Sequence, residues 1–226
     1  MACEKADGIP ERRAEARRIV RSMSILRELA PGLWRWSAPH PAWRPDAPAE
    51  SPADWPREVG SVVCDVADAT VLIDPLLPPD GGALLRELDR HVRSRKAPVA
   101  VLTTIGFHRR SRDELARRYD ASVSRARDAL PDGVEALPIR GAGETMFWLS
   151  GQRALVPGDR ILGAASGGLR LCPESWLGYL PSGVTIAGLR ELLRPLLELP
   201  IERVIVSHGE PVLAGGRAAL ARALAG

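Results

Sequence analysis

Histidine is scarce in this chain: the 226 residues contain only His40, His91, His108 and His208, which leaves little imidazole for metal binding. Cysteine is as sparse. Cys3, Cys64 and Cys172 are odd in number and widely spaced, with no CxxC pair, so neither a disulfide framework nor a thiolate metal cluster is expected, and the thiols read as reduced. No apolar run approaches the roughly 18 residues of a membrane span. Residues 1–30 carry seven Lys or Arg and five Asp or Glu with no continuous apolar core, which excludes a secretion signal and predicts a cytoplasmic protein without a membrane partner. An excess of one charge is also missing, because 31 basic against 28 acidic residues leave a net charge of +3. Nucleic acid is therefore not the expected partner.

What is present is a chain long enough for one sizeable core, 45% hydrophobic and 26% charged. Residues 11–29 are rich in helix formers and are stopped by Pro31-Gly32, which predicts an N-terminal helical extension over residues 1–30, a candidate homodimer element, ahead of a main domain at 31–226. Six prolines between Pro39 and Pro56 make residues 38–58 a long loop of the kind that walls a site. Val59–Ala67 and Thr70–Ile73 read as an antiparallel hairpin. The helix around Leu85, Leu88 and Val92, followed by the apolar strand VAVLTT, implies a parallel crossover. Ser111-Arg112-Asp113-Glu114 reads as a capping box opening a helix to about Tyr119. A meander of short strands follows from Val134 to Leu171. Then come a helix through Ile186–Leu197 kinked at Pro195, a strand RVIVS, and a closing helix.

Four polar residues stand where strands run into loops: His108 after VAVLTT, Glu144 opening ETMFWLS, Asp159 after RALVP and His208 after RVIVS. Asp159 in PGD and His208 in SHGEP also suit ordinary turns. The arginine-rich stretch 108–127 includes Arg109 and suits either a solvated helix face or attraction of an anionic small-molecule ligand. Trp176, after CPES, lies in a loop able to close over a site. His40 and His91 read as incidental.

The ordered run TVLID, VAVLTT-IGFH, GAGET, ALVPGD and IVSHG resembles the successive motifs of the metallo-β-lactamase superfamily over residues 31–225. The resemblance implies a four-layer αβ/βα sandwich. It places Thr104, Gly106, His108 and Arg109 on the His-x-His-x-Asp-His motif, where none matches, and Glu144 where a histidine is expected. Asp159 matches the metal-bridging aspartate and His208 the final histidine. Two readings stay open. In one, the dinuclear site is lost and the chain is a pseudoenzyme or small-molecule-binding protein, with Arg109 bridging Asp159 and Glu144 in place of metal. In the other, His108, Asp159 and His208 hold one Zn²⁺, Mn²⁺ or Fe²⁺, Glu144 serves as fourth ligand or base, and the chain hydrolyses a small ester, thioester or lactone.

Overall fold

The structure is a computed structural model that describes residues 25–124 and 129–226. Most of the predicted N-terminal helix lies outside the described residues. Its last residues are not helical: Arg27–Ala30 forms strand β1, paired antiparallel with β2, Leu33–Pro39. Tertiary pairing along β2 overrides the helix propensity of this short stretch.

The first sheet continues through β3 (Glu58–Asp65), β4 (Thr70–Ile73), β5 (Val99–Leu102) and β6 (Ser122–Val123) in sequence order. The β3–β4 pair is the expected hairpin, and β4 to β5 is parallel through helix α1, Gly82–Arg95. Helix α2, Arg112–Tyr119, then leads to β6. Its capping box does not form, because the Ser111 Oγ instead accepts a hydrogen bond from the Leu77 N–H at 2.9 Å. The second sheet takes β7 (Val134–Ile139), β8 (Glu144–Leu149), β9 (Ala154–Val156) and β12 (Arg203–Val204), in the order β12-β9-β8-β7. Strands β10 (Ile161–Gly163) and β11 (Leu169–Leu171) form a separate hairpin, and helices α3 (Ile186–Leu193) and α4 (Gly216–Ala225) follow. Helix α3 gives way to a 3-10 turn over Arg194–Glu198, where Pro195 can donate no helical hydrogen bond.

Strand alternation turns this list into layers. In β3 and β8, Val62, Cys64, Phe147 and Leu149 point inward and pack sheet against sheet with Ile73, Leu102 and Val156. The residues between them point outward. Val63 packs with Leu72, Val101 and the helix residues Leu84, Leu88 and Leu115, whereas Met146 and Trp148 pack with Leu189, Leu193 and Leu220. The result is a four-layer αβ/βα sandwich, with α1 and α2 outside one sheet and α3 and α4 outside the other. Among the described residues no helix is long and apolar enough to cross a membrane.

His91, expected to be incidental, has a structural place on α1: its Nε2 lies 3.0 Å from Asp65 Oδ1 and its ring meets Trp34 edge-on at 4.5 Å. Asp65 also accepts from Thr70 Oγ1 at 3.0 Å, which locks the β3–β4 turn to the helix. The inter-sheet layer is where the fold is most sensitive. Phe147→Ala should lower the free energy of unfolding by about 3–5 kcal/mol, as deletion of a buried aromatic side chain does. Urea denaturation checks this, and a loss below about 1 kcal/mol would contradict the packing described.

Candidate metal and substrate site

Strand ends from both sheets converge on one buried cluster. The β4 terminus supplies Asp74, whose left-handed backbone (φ 49°) turns its carboxylate back beneath the loop that follows β5. Asp74 accepts from the Thr104 N–H at 2.8 Å and from the Thr104 hydroxyl, and its Oδ2 lies 2.8 Å from His108 Nδ1. His108, buried in the 3-10 turn Gly106–Arg109, is thereby oriented with Nε2 directed at Asp159. Asp159 Oδ1 lies 3.0 Å from His108 Nε2 and 3.3 Å from His208 Nε2. Neither contact has hydrogen-bond geometry, and this buried oxygen has no hydrogen-bond donor.

Glu144, expected as a base or fourth ligand, does something else. Its carboxylate accepts from the backbone N–H groups of Gly158, Asp159 and Arg160 at 2.9, 2.7 and 3.0 Å. It therefore shapes the turn that presents Asp159. Burial and the neighbouring Asp159 charge push its pKa up to about 7, against Arg160 and the backbone donors.

Arg109 does not bridge Asp159 and Glu144. Its side chain is 61% exposed and pairs with Asp113 at 3.2 Å, one helical turn on. Two other arginines are built into the site. Arg160 is fully buried; it donates to the Ala142 carbonyl at 2.8 Å, the Trp176 carbonyl at 3.2 Å and the Tyr179 hydroxyl. Arg110 donates to the carbonyls of Gly60 and Asp74 at 2.9 and 3.0 Å and to Ser207 Oγ at 2.8 Å. It holds φ 39° and ψ −120°, a strained conformation for a residue with a Cβ, which persists only where surrounding contacts over-determine it.

The loop carrying His208 is pinned just as firmly. Ser207 O accepts from Gly60 N at 2.7 Å, His208 O accepts from Gly163 N at 2.9 Å, and Arg35 donates to Gly209 O at 3.0 Å. Gly163 is required for this approach, because a Cβ there would lie 2.5 Å from the Glu210 carbonyl oxygen.

Above the cluster opens a cavity of about 330 Å³, walled by Trp55, Phe107, Trp176 and Tyr179, with His40 at its side. The proline-rich loop thus delivers Trp55 and His40, and the 3-10 turn Glu174–Trp176 delivers Trp176 to the cavity wall. Phe107 is 67% exposed and meets Tyr179 edge-on at 5.4 Å. Sequence reasoning missed Asp74, Arg110, Arg160, His40 and Tyr179. The signals available were Asp74 closing an apolar strand in TVLID and Arg160 next to the matched aspartate.

The charges titrate together. Burial pushes His108 down, but the carboxylates of Asp159 and Asp74 outweigh it and hold its pKa at about 9. Burial raises Asp159, yet the two imidazoles draw it well below the ordinary carboxylate range. His208 is lowered, chiefly by burial, so the shared proton resides on His108. Burial and the Arg110 charge bring His40 down to about 4, which keeps it neutral at pH 7.

Two outcomes follow. His108 binds its proton more tightly folded than unfolded, so in metal-free protein its stabilisation is complete below its ordinary pKa of 6.5 and is lost as pH rises through about 9. Glu144, raised from 4.5 to about 7, acts in the same direction at lower pH. Urea titrations of chelator-treated protein should show unfolding free energy falling from pH 6 to pH 9.5; a rise over that range would contradict the assignment. Separately, Arg110→Met strips donors from three acceptors at about 1 kcal/mol each. A destabilisation of about 3 kcal/mol is expected by the same method, and an unchanged midpoint would rule out the clamp.

No protein-family model matches the chain, and no curated protein matches it in sequence. Solved structures do match. The metallo-β-lactamase FIM-1 from Pseudomonas aeruginosa, in its mono-zinc form, aligns with a TM-score of 0.55 at 11% identity, covering 88% of this chain and 94% of its own. A metallo-β-lactamase from Erythrobacter litoralis gives 0.54 at 15% identity over 88% and 90%, and TMB-1 gives 0.53 at 16% over 88% and 97%. With the same sandwich and nearly complete coverage, the chain has the metallo-β-lactamase fold.

Proposed function

We propose that the protein is a hydrolase that uses one divalent metal ion, held by His108, Asp159 and His208, to cleave a small ester, thioester or lactone. The observation that carries this reading is Asp159 Oδ1, a buried carboxylate oxygen without a hydrogen bond, flanked by two imidazole Nε2 atoms. One ligand atom from each of the three residues lies within 4.8 Å of the others. The contacts of 3.0 and 3.3 Å are close to the edge of about 3.3 Å spanned by N and O ligands around Zn²⁺. Asp74 on the far nitrogen of His108 fixes the ring orientation, as a carboxylate behind a metal-ligating histidine would. The fold accommodates a single ion in FIM-1.

A bound divalent ion supplies Lewis acidity and an activated water near neutral pH. The chain's own groups do the rest. Trp55, Trp176 and Phe107 exclude water and favour an apolar acyl group. The Tyr179 hydroxyl already accepts from Arg160, so its proton is free to be donated to a carbonyl or leaving-group oxygen. Neutral His40 at the cavity wall accepts the Ala42 N–H on Nδ1 at 3.2 Å, which leaves its Nε2–H as a hydrogen-bond donor.

A second reading, a metal-free pseudoenzyme whose cleft binds a small molecule, is favoured by one observation. A protonated His108 between Asp74 and Asp159 is itself a cation in the right place. Elemental analysis of protein purified without chelator separates the two. The single-metal reading expects about one Zn²⁺, Mn²⁺ or Fe²⁺ per chain, loss of most of it in Asp159→Asn, and hydrolysis of a panel of aryl esters and thioesters that falls at least 100-fold in that variant. No stoichiometric metal even after loading would overturn it in favour of the pseudoenzyme.

A further inference from the structure

A second pocket, of about 380 Å³, lies between the end of β5, the start of α2 and the β7–β8 turn. It shares no lining residue with the aromatic cavity. Arg109, Arg112 and Arg140 line it together with Thr103, Gly106 and Gly143. We infer that this pocket is an anion site that takes the phosphoryl group of a small phosphate ester.

The charge balance is the first support. One carboxylate, Asp113, serves both Arg109 and Arg112, at 3.2 and 2.8 Å. Arg140 has no ion pair among the described residues. The Arg112 side chain is only 18% exposed and uses Nε for Asp113, which leaves its two terminal nitrogens without a partner among the described residues. The other carboxylate on the wall, Glu144, has both oxygens turned onto the backbone N–H groups of residues 158–160. Positive charge is therefore in surplus, and much of it sits on planar guanidinium donors suited to oxyanions.

The second support is independent of charge. Thr103 Oγ1 is buried and has no hydrogen-bond partner, an arrangement that calls for a missing acceptor. The pocket wall is open at Gly106, where a Cβ would meet nothing within 4 Å. A phosphoryl group offers three acceptor oxygens and up to two negative charges, which matches several guanidiniums and a hydroxyl better than a carboxylate does. The pocket volume lies in the range of about 300–1,000 Å³ typical of small-molecule sites, larger than a bare phosphate needs, which favours an ester.

Isothermal titration calorimetry of the full chain as purified, with inorganic phosphate and glycerol 3-phosphate at constant ionic strength, tests the inference. Saturable binding of both is expected, tighter for the ester, weakened about tenfold or more in R112Q/R140Q and about threefold in Thr103→Val. Arg217→Gln, on α4, should leave it unchanged. Absence of saturable binding, or equal affinity in R112Q/R140Q, would overturn the site, and tighter binding of inorganic phosphate would overturn the ester. If the double variant does not fold, exposed Arg140→Gln carries the same test. Metal content is read separately, so failure here leaves the single-metal reading standing.

Discussion

The site depends on one group, the Asp159 carboxylate. Its Oδ1 is buried, faces two imidazoles, and accepts no hydrogen bond. A charge in that position is costly unless a cation meets it. The surrounding structure supplies the means: Glu144 curls the 158–160 turn so that Asp159 points inward, Asp74 fixes the opposing His108, and the pinned 207–209 loop delivers His208. A proton on His108 and a divalent ion between the three side chains are competing ways of meeting the same charge. A metal ion binding there would have to displace that proton.

The fold explains why so few residues suffice. The antiparallel edges and the parallel crossover bring the ends of β4, β5, β9 and β12 to one end of the inter-sheet layer. Each contributes a polar side chain just beyond its last apolar residue. Arg110 then joins β3, the end of β4 and the His208 loop through three hydrogen bonds at the expense of a strained backbone. Storing strain next to a functional cluster is common where geometry must be held closely. The aromatic walls, Trp55, Phe107, Trp176 and Tyr179, come from loops and 3-10 turns outside the two sheets.

Much of this was legible in the sequence. Alternation in β3 and β8, the β4–α1–β5 crossover and the order of strand-end motifs all rest on local periodicity, and the sandwich follows from them. The convergence of His108, Asp159 and His208 was legible from their common placement after strands. Arg109 was misplaced because adjacent positions in a 3-10 turn point in different directions. Arg109 faces Asp113 outside, and the next residue, Arg110, turns inside through a backbone conformation that no pattern signals in a non-glycine residue. Arg27–Ala30 carries helix-forming residues yet pairs with β2, a long-range contact that propensity does not register. Thr104 and Glu144, at positions where the resemblance expects histidine, keep structural work: one bonds Asp74, the other shapes the Asp159 turn.

The central claim is that a single cation belongs beside Asp159 Oδ1. A crystal structure of metal-loaded protein, with anomalous difference maps collected above and below the metal edge, addresses it directly. The account predicts one anomalous peak, within about 2.0–2.2 Å of His108 Nε2, Asp159 Oδ1 and His208 Nε2, and none beside Thr104 and Glu144. An empty cluster with His108 still seated between Asp74 and Asp159, or two metal peaks, would contradict it.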